Sequence, residues 1–335
     1  MKKTLAILLA LGIPFSFTTI CGAAESATEA ATDAATEAAA EEAAVDLTIL
    51  YEADDSMINN YSLLAVNPDA PFVDADGNEV SDVELNASGA EALINWMLSP
   101  EATELAANYG YEEYNEYLFY LKDDAPTSDA EITPATDETQ TIRMSTTTSV
   151  NDSGLLGYLL PYFEDEYGYT VEVFSAGTGK AIANAQAGNA DLILVHSKSQ
   201  EEEFVNSGFS YVLDGQESER LTFMYNYFVL CGPSADPAGV AEAASVLDAF
   251  AAIAEGEYPF VSRGDNSGTH TKEISLWPEE LGITTDAESV KDYGWYTYSN
   301  AGMGVCLTMA EETGAYILSD KATFLTFRAN HGIME

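Results

Sequence analysis

From Ile142 onward the apolar positions switch between two spacings. Ile142 to Thr146 is short and extended, whereas Leu155, Leu156, Leu159, Leu160 and Phe163 recur at helical spacing until Gly168. Val171 to Phe174 reads as a strand, Gly179 to Ala187 as a helix, and Asp191 to His196 as a buried strand. This alternation of strand and helix predicts a largely parallel sheet. Further strands are predicted at Phe223 to Leu230 and Tyr258 to Ser262, with helices at about 239 to 254, 269 to 277 and 304 to 313.

Residues 47 to 121 carry one strand candidate, Tyr61 to Val66, and two helices. The first helix opens at the capping box Ser88-Gly89-Ala90-Glu91 and presents Leu93, Ile94, Trp96 and Met97 as its apolar face. The second has Ser99 as cap, Pro100 at the first helical position and Glu101 at the positive end of the dipole, and stops at Gly110. A loop rich in Pro, Thr and acids, from about Lys122 to Gln140, separates this block from the rest.

Charge and leader narrow the function. With 12 Lys and Arg against 56 Asp and Glu the chain carries −44, and such a surface repels phosphodiester backbones, so nucleic acid is excluded as a partner. Lys2 and Lys3 precede an apolar run from Leu5 to Phe17 and a cluster of small residues, the order of a secretory signal peptide over residues 1–23. The chain is therefore expected to be exported, to an extracellular or periplasmic location. Cys21 followed by a polar tether resembles a bacterial lipoprotein cysteine, but Ile20 departs from the small residue preferred before it, so lipid anchoring stays open. Residues 24–46, nearly all Ala, Glu, Thr, Asp and Ser, read as a solvated spacer. Cys231 and Cys306 sit in apolar surroundings and read as buried thiols, with a disulfide as the alternative; no metal-ligand spacing is present.

In an open parallel sheet, ligands sit beyond the carboxyl ends of the strands. Three segments there are crowded with hydroxyls and glycines: Ser145 to Ser149, Ser175 to Gly179, and Ser262 to His270. Each offers hydroxyl donors and free backbone N–H groups at a helix start, the requirements of an oxyanion site. Arg263 supplies a formal charge, and Thr147, Ser149, Thr178, Ser267 and Thr269 supply directional donors, while Gly264 and Gly268 allow close approach. Two other readings compete. Ser267, His270 and Asp265 form a nominal hydrolytic triad, although residues this close at a helix start usually cap, and Arg263-Gly264-Asp265 is an adhesion tripeptide. His196, at a strand end, either lines the cleft or is satisfied by backbone.

Seven motifs together resemble the extracellular tungstate-binding proteins of ABC importers, over roughly residues 142 to 328. They are Thr146-Thr-Thr-Ser149, Asp152-Ser-Gly-Leu-Leu156, Gly177-Thr-Gly179, Asp191-Leu-Ile-Leu-Val-His196, Tyr225-Asn-Tyr-Phe-Val-Leu230, Val261-Ser-Arg-Gly-Asp-Asn-Ser-Gly-Thr-His270 and Gly302-Met-Gly304. The resemblance implies an α/β, two-lobed, periplasmic-binding-protein-like fold of type II. In it, two mixed, mainly parallel sheets are flanked by helices and joined by hinge strands. It implies a solute-binding protein rather than an enzyme, with no cofactor and no metal cation, holding tungstate, with molybdate second, for a membrane permease of an ABC transporter. Thr147, Thr148, Ser149, Thr178, Arg263, Ser267, Gly268 and Thr269 would hold the ligand. Phosphate and sulfate are the rival ligands, since looser Arg-x-x-x-Ser-Gly-Thr patterns resemble phosphate-binding relatives, and an anchored adhesion module is the rival from another class.

The order of parts departs from that family. Stretches like Leu47 to Glu52, Asn60 to Pro68, Ala92 to Glu101 and Tyr117 to Tyr120 ordinarily close such chains but here precede the Thr146 motif, which looks like a circular permutation. On this reading residues 47–121 complete the lobes, supplying a hinge-crossing strand around Leu63 to Val66 and helices of the first lobe, 122–141 link, 142–230 form the first lobe and 231–335 the second, and Leu47 is expected near Glu335; the alternative is that 47–121 completes a neighbouring molecule or is left from a tandem copy.

Overall fold

The computed structural model describes residues 46–330. The predicted signal peptide, Cys21, nearly all of the spacer and the last five residues lie outside the described residues. Strands β1 (Leu47–Tyr51) and β2 (Ile58–Ala65) lead to helices α1 (Ala87–Met97), α2 (Pro100–Asn108) and α3 (Tyr111–Tyr114), then to the short β3 (Tyr120–Leu121). After the Pro/Thr-rich loop come β4 (Thr141–Thr147), α4 (Thr148–Asp152), α5 (Leu155–Tyr167), β5 (Thr170–Ala176), α6 (Thr178–Gln186), β6 (Leu192–Val195) and α7 (Lys198–Asn206). The chain ends with β7 (Leu221–Pro233), α8 (Val246–Glu255), β8 (Phe260–Ser262), α9 (Gly268–Ile274), β9 (Tyr296–Tyr298), α10 (Met303–Thr313), β10 (Ile317–Asp320) and α11 (Lys321–Asn330).

Strands β5, β4 and β6 lie side by side and parallel, as the helices between them require. The rest of the sheet is less parallel than expected. Among the described strands, β4 pairs with β5 and β6, and β8 with β9, in parallel, whereas β1, β2, β3 and β10 all run antiparallel to β7, and β2 antiparallel to β6. The reason is β7 itself. This thirteen-residue strand pairs with β2 along its first half and with β1 and β10 along its second, so it crosses from one lobe to the other. Strands returning beside it run the opposite way, and the two expected sheets merge into one eight-stranded ladder beside the pair β8 and β9.

Side chains alternate between faces along these strands, and each face builds its own core. Tyr61, Leu63, Met144, Leu192 and Leu194 pack under α1, α2 and α5, while Leu64, Ile193 and Val195 pack under α6 with Phe204. In the second lobe Phe228 and Leu230 face α8, while Val229 and Cys231 face α10. Cys231 and Cys306 are free, buried thiols. The pairing of β7 passes from β2 to β10 between Tyr227 and Phe228, and α11 contributes to two cores, Ala322 to one and Phe324 to another.

Residues 47–121 pack onto their own chain. Asn86 caps α1, accepting the Gly89 N–H at 2.9 Å, so the cap lies two residues before the expected Ser88. Its amide donates to the Thr139 and Thr141 carbonyls at 2.7 and 2.8 Å, tying α1 to the start of β4. Asp191 completes the joint, accepting from the Asn86 N–H at 2.9 Å and from the Arg143 guanidinium at 2.6 Å. Ser99 caps α2 as expected, although that helix ends at Asn108. Asp46 lies 3.8 Å from Arg328, which brings the two ends of the described chain together; Glu335 lies outside it.

Where β2 crosses β7 the strands carry a buried polar cluster. Asp320 accepts from the Tyr61 hydroxyl at 2.9 Å and from Asn226 at 2.5 Å, and Asn59 donates to Tyr61 at 2.8 Å. Burial pushes the Asp320 carboxyl above its ordinary range. These directional bonds fix the register of the crossing strands, which slippage of apolar side chains alone would leave softer.

Candidate functional site

The strand order β5-β4-β6 places a topological switch point between β4 and β6, and a crevice opens beyond their carboxyl ends. The first candidate segment ends β4 and begins α4. It is not a loop, because helix starts directly at Thr148. Ser145 donates to the Ala181 carbonyl at 2.8 Å and Thr146 to the Leu194 carbonyl at 2.7 Å, so both hydroxyls belong to the scaffold. Thr147, Thr148 and Ser149 remain. The Thr147 and Ser149 hydroxyls are 3.1 Å apart, and Ser149 lies 3.2 Å from His196 Nε2 at the end of β6.

From the other lobe, the segment after β8 reaches the same place. Arg263 Nη1 donates to the Thr148 hydroxyl at 3.3 Å, a bond that spans the cleft, and Nη2 donates to Asp265 at 2.6 Å. Asp265 also accepts the Ser267 N–H at 3.1 Å, and Ser267 caps α9 by accepting the His270 N–H at 3.3 Å. His270 Nδ1 accepts the Asn266 N–H at 3.1 Å. Ser267, His270 and Asp265 thus each serve the turn, and the three are not linked as a proton relay. Gly264 has φ +60°, with the Tyr298 ring over the place a side chain would fill. Arg263 is only 4% exposed, so the adhesion tripeptide faces inward.

Two glycines lie where the lobes approach each other. A Cβ built on Gly177 would lie 3.4 Å from the Ser267 Cβ, and one on Gly268 only 2.4 Å from the imidazole of His196. The structure therefore gathers Thr147, Thr148, Ser149, Arg263, Ser267 and Gly268, while Thr178 and Thr269 stand one residue beyond these contacts, in the first turns of α6 and α9.

Thr178 Oγ1, Thr269 Oγ1 and Arg263 Nε are buried and meet no partner among the described residues, and the same holds for His196 Nδ1. Each such polar atom left unpaired costs about 1–3 kcal/mol unless something binds it. Burial, then the Arg263 charge, lowers the His196 pKa to about 3, so the ring is neutral at physiological pH. From the sequence alone, His196 fits either role. Its signal was there, a histidine at the carboxyl end of the strand beside the switch point, but a backbone partner would have looked the same.

Glu273 shapes the Arg263 segment from behind. It accepts from Ser262 at 2.5 Å, Trp277 at 2.8 Å and Tyr296 at 2.6 Å, and Ser262 in turn accepts the Gly264 N–H at 3.2 Å. Burial raises its pKa from 4.5 to about 7, outweighing these three donors. A carboxyl raised in the folded state stabilises fully below its unfolded value and loses that contribution as pH climbs to the folded one. Stability is expected to fall between pH 4.5 and about 7, by up to about 3 kcal/mol from this group. Urea titrations of Glu273→Gln against the native chain should show the slope flattened in that window; an unchanged slope would mean that Glu273 is ionised throughout.

The profile of the PBP superfamily domain matches residues 133–334, and the chain belongs to that family. It is 43% identical over 194 residues to the tungstate-binding protein TupA of Peptoclostridium acidaminophilum, covering 57% of this chain and 63% of that protein. It is 35% identical over 182 residues to TupA of Campylobacter jejuni, covering 54% and 62%. The chain thus spans just under two thirds of the length of these curated relatives. The solved tungstate ABC transporter structure from Geobacter sulfurreducens is 40% identical and covers 57% of this chain and 76% of that one, with a TM-score of 0.48.

Proposed function

We propose that this chain is a solute-binding protein that closes on a tetrahedral oxyanion, tungstate first and molybdate second, and delivers it to the permease of an ABC importer outside the cytoplasmic membrane. The observation that carries the reading is the set of buried, unpartnered donors drawn from both lobes, Thr178 Oγ1 in one and Arg263 Nε and Thr269 Oγ1 in the other. An oxyanion offers acceptors to all of them at once, and its differential affinity for the closed form drives closure. The one carboxylate among these residues, Asp265, is engaged by Arg263 and the Ser267 N–H. The site therefore offers no free acceptor to the proton that phosphate carries near neutral pH, which favours a fully ionised anion. The names of two relatives, 43% and 35% identical, favour tungstate among these. No cofactor or metal cation has a part in this reading.

The permuted order belongs to the same proposal. Residues 47–121 supply β2, which runs beside the crossing strand β7, so the cleft is completed in cis. The test is calorimetric titration of the stripped mature protein with tungstate, molybdate, sulfate and phosphate. Heat with tungstate, less with molybdate and none with the other two is the expected result; silence for all four would overturn the function.

A further inference from the structure

Positive charge is scarce in this chain, yet it collects at one place. Beside the His196 and Gly268 contact lies a cavity of about 510 Å³ lined by Lys198, Arg220 and Lys272, with Glu202 as its sole lining carboxylate. A second cavity of about 700 Å³ shares Lys198, Arg220 and Asn60 with it and adds Lys122, which pairs with Asp124 at 3.4 Å, and Glu217, so the excess of positive charge lies in the first. Four of the ten described cations thus line adjoining spaces in a protein with 56 acids. Arg220 is held against Glu201, whose side chain is fully buried, and Lys198 lies 3.6 Å from Glu202. Lys272, half-buried on α9, forms no ion pair with any described residue. Burial draws its pKa down, with Asp54 opposing.

Position gives this charge its meaning. His196 and Gly268 line the cavity and also touch each other across the cleft, so they stand between it and the Thr147, Ser149 and Arg263 donors. Elsewhere the net −44 repels an approaching anion. We infer that this cation-lined vestibule is the port through which the oxyanion reaches and leaves the buried site, with the contact of His196 on Gly268 as its gate. The inference rests on the oxyanion-binding reading and names where that ligand travels. Lys198 and Lys272 steer; they do not hold the bound anion.

A dianion passing about 10 Å from a unit charge in water feels a field that salt screens within about 30 Å at 0.01 M and about 3 Å at 1 M. Reversing both lysines should therefore slow association by about ten- to fifty-fold at about 10 mM ionic strength and by less than two-fold at about 1 M. The experiment is stopped-flow tryptophan fluorescence on the full mature chain with tungstate. The variants are Lys198→Glu with Lys272→Glu, the milder pair Lys198→Gln with Lys272→Gln, and Lys291→Glu, paired with Glu288 outside both cavities, as control. The port predicts a graded fall in association rate and in its salt dependence for the first two and none for the control. Rates equal to the control's would overturn it, as would a loss that persists at high salt, which would mark these lysines as parts of the bound site. A native chain that binds no oxyanion sinks the proposed function instead, so the two failures are distinguishable.

Discussion

Replacing Arg263 with Ala should lower oxyanion affinity at least about a hundredfold. Two guanidinium nitrogens are available to a ligand: Nε, which has no partner, and Nη1, which meets only the Thr148 hydroxyl at 3.3 Å. Hydrogen bonds to a charged group contribute about 1.5–3 kcal/mol each, and two of them give the factor stated. A second effect adds to it. Asp265, bonded to Nη2 at 2.6 Å, would be left with its charge uncompensated at the edge of the site and would repel the anion. The double variant Arg263→Ala with Asp265→Asn separates the terms: it should recover the repulsive part and leave the loss of the guanidinium. Titration calorimetry measures the affinities, and far-UV circular dichroism checks that both variants fold. Native affinity in the single variant would remove Arg263 from the site.

Substituting Ala at Gly268 should cost about tenfold or more in affinity through closure alone. The added methyl would sit 2.4 Å from His196 Cε1 and 2.7 Å from Nδ1, well inside contact distance. The imidazole, half-buried, is confined on one side by Tyr61, at a ring distance of 5.2 Å, and Phe228, at 6.3 Å, which limits how far it can yield. The lobes would have to stop short, holding the donors of one lobe away from a ligand bound to the other. Folding should be little affected, because opening the cleft relieves the clash. Small-angle scattering is expected to show compaction on adding tungstate in the native chain and less in the variant. In a His196→Ala background the same substitution should cost nothing further; if both backgrounds lose equally, the effect does not run through this contact.

Much of this architecture was legible in the residues themselves because the forces involved are local. Ser99 and Pro100 announce α2 by satisfying and omitting N–H groups that no helix can pair, and Gly168 ends α5 in the left-handed region that other residues avoid. The run from Leu192 to Val195 is apolar at every position because both faces of β6 are covered. The hydroxyl-rich segments after β4, β5 and β8 were likewise visible, since the ends of parallel strands collect at one edge in any such sheet. Where two local signals compete, a distant partner decides between them. Ser88 satisfies the capping-box pattern, but Asn86 wins because its amide also pairs with two carbonyls at the start of β4, more than fifty residues away.

Only the tertiary structure decided what depends on distant segments meeting. The apolar pattern of β7 marks a strand and says nothing of its partners, so its passage between lobes and the antiparallel ladder around it followed from packing. In the Thr146 motif, one hydroxyl serves the sheet and its neighbours face the cleft, a division set by the pleat and by where Leu194 lies. His196 gained its place because Gly268, from the other lobe, has no side chain to exclude it. Lys198 and Lys272 are ordinary surface lysines in sequence, and their shared cavity exists only when α7 and α9 face each other. Local propensity and capping are settled within a few residues, whereas a binding cleft is a relation between two surfaces, and the chain forms it only by folding.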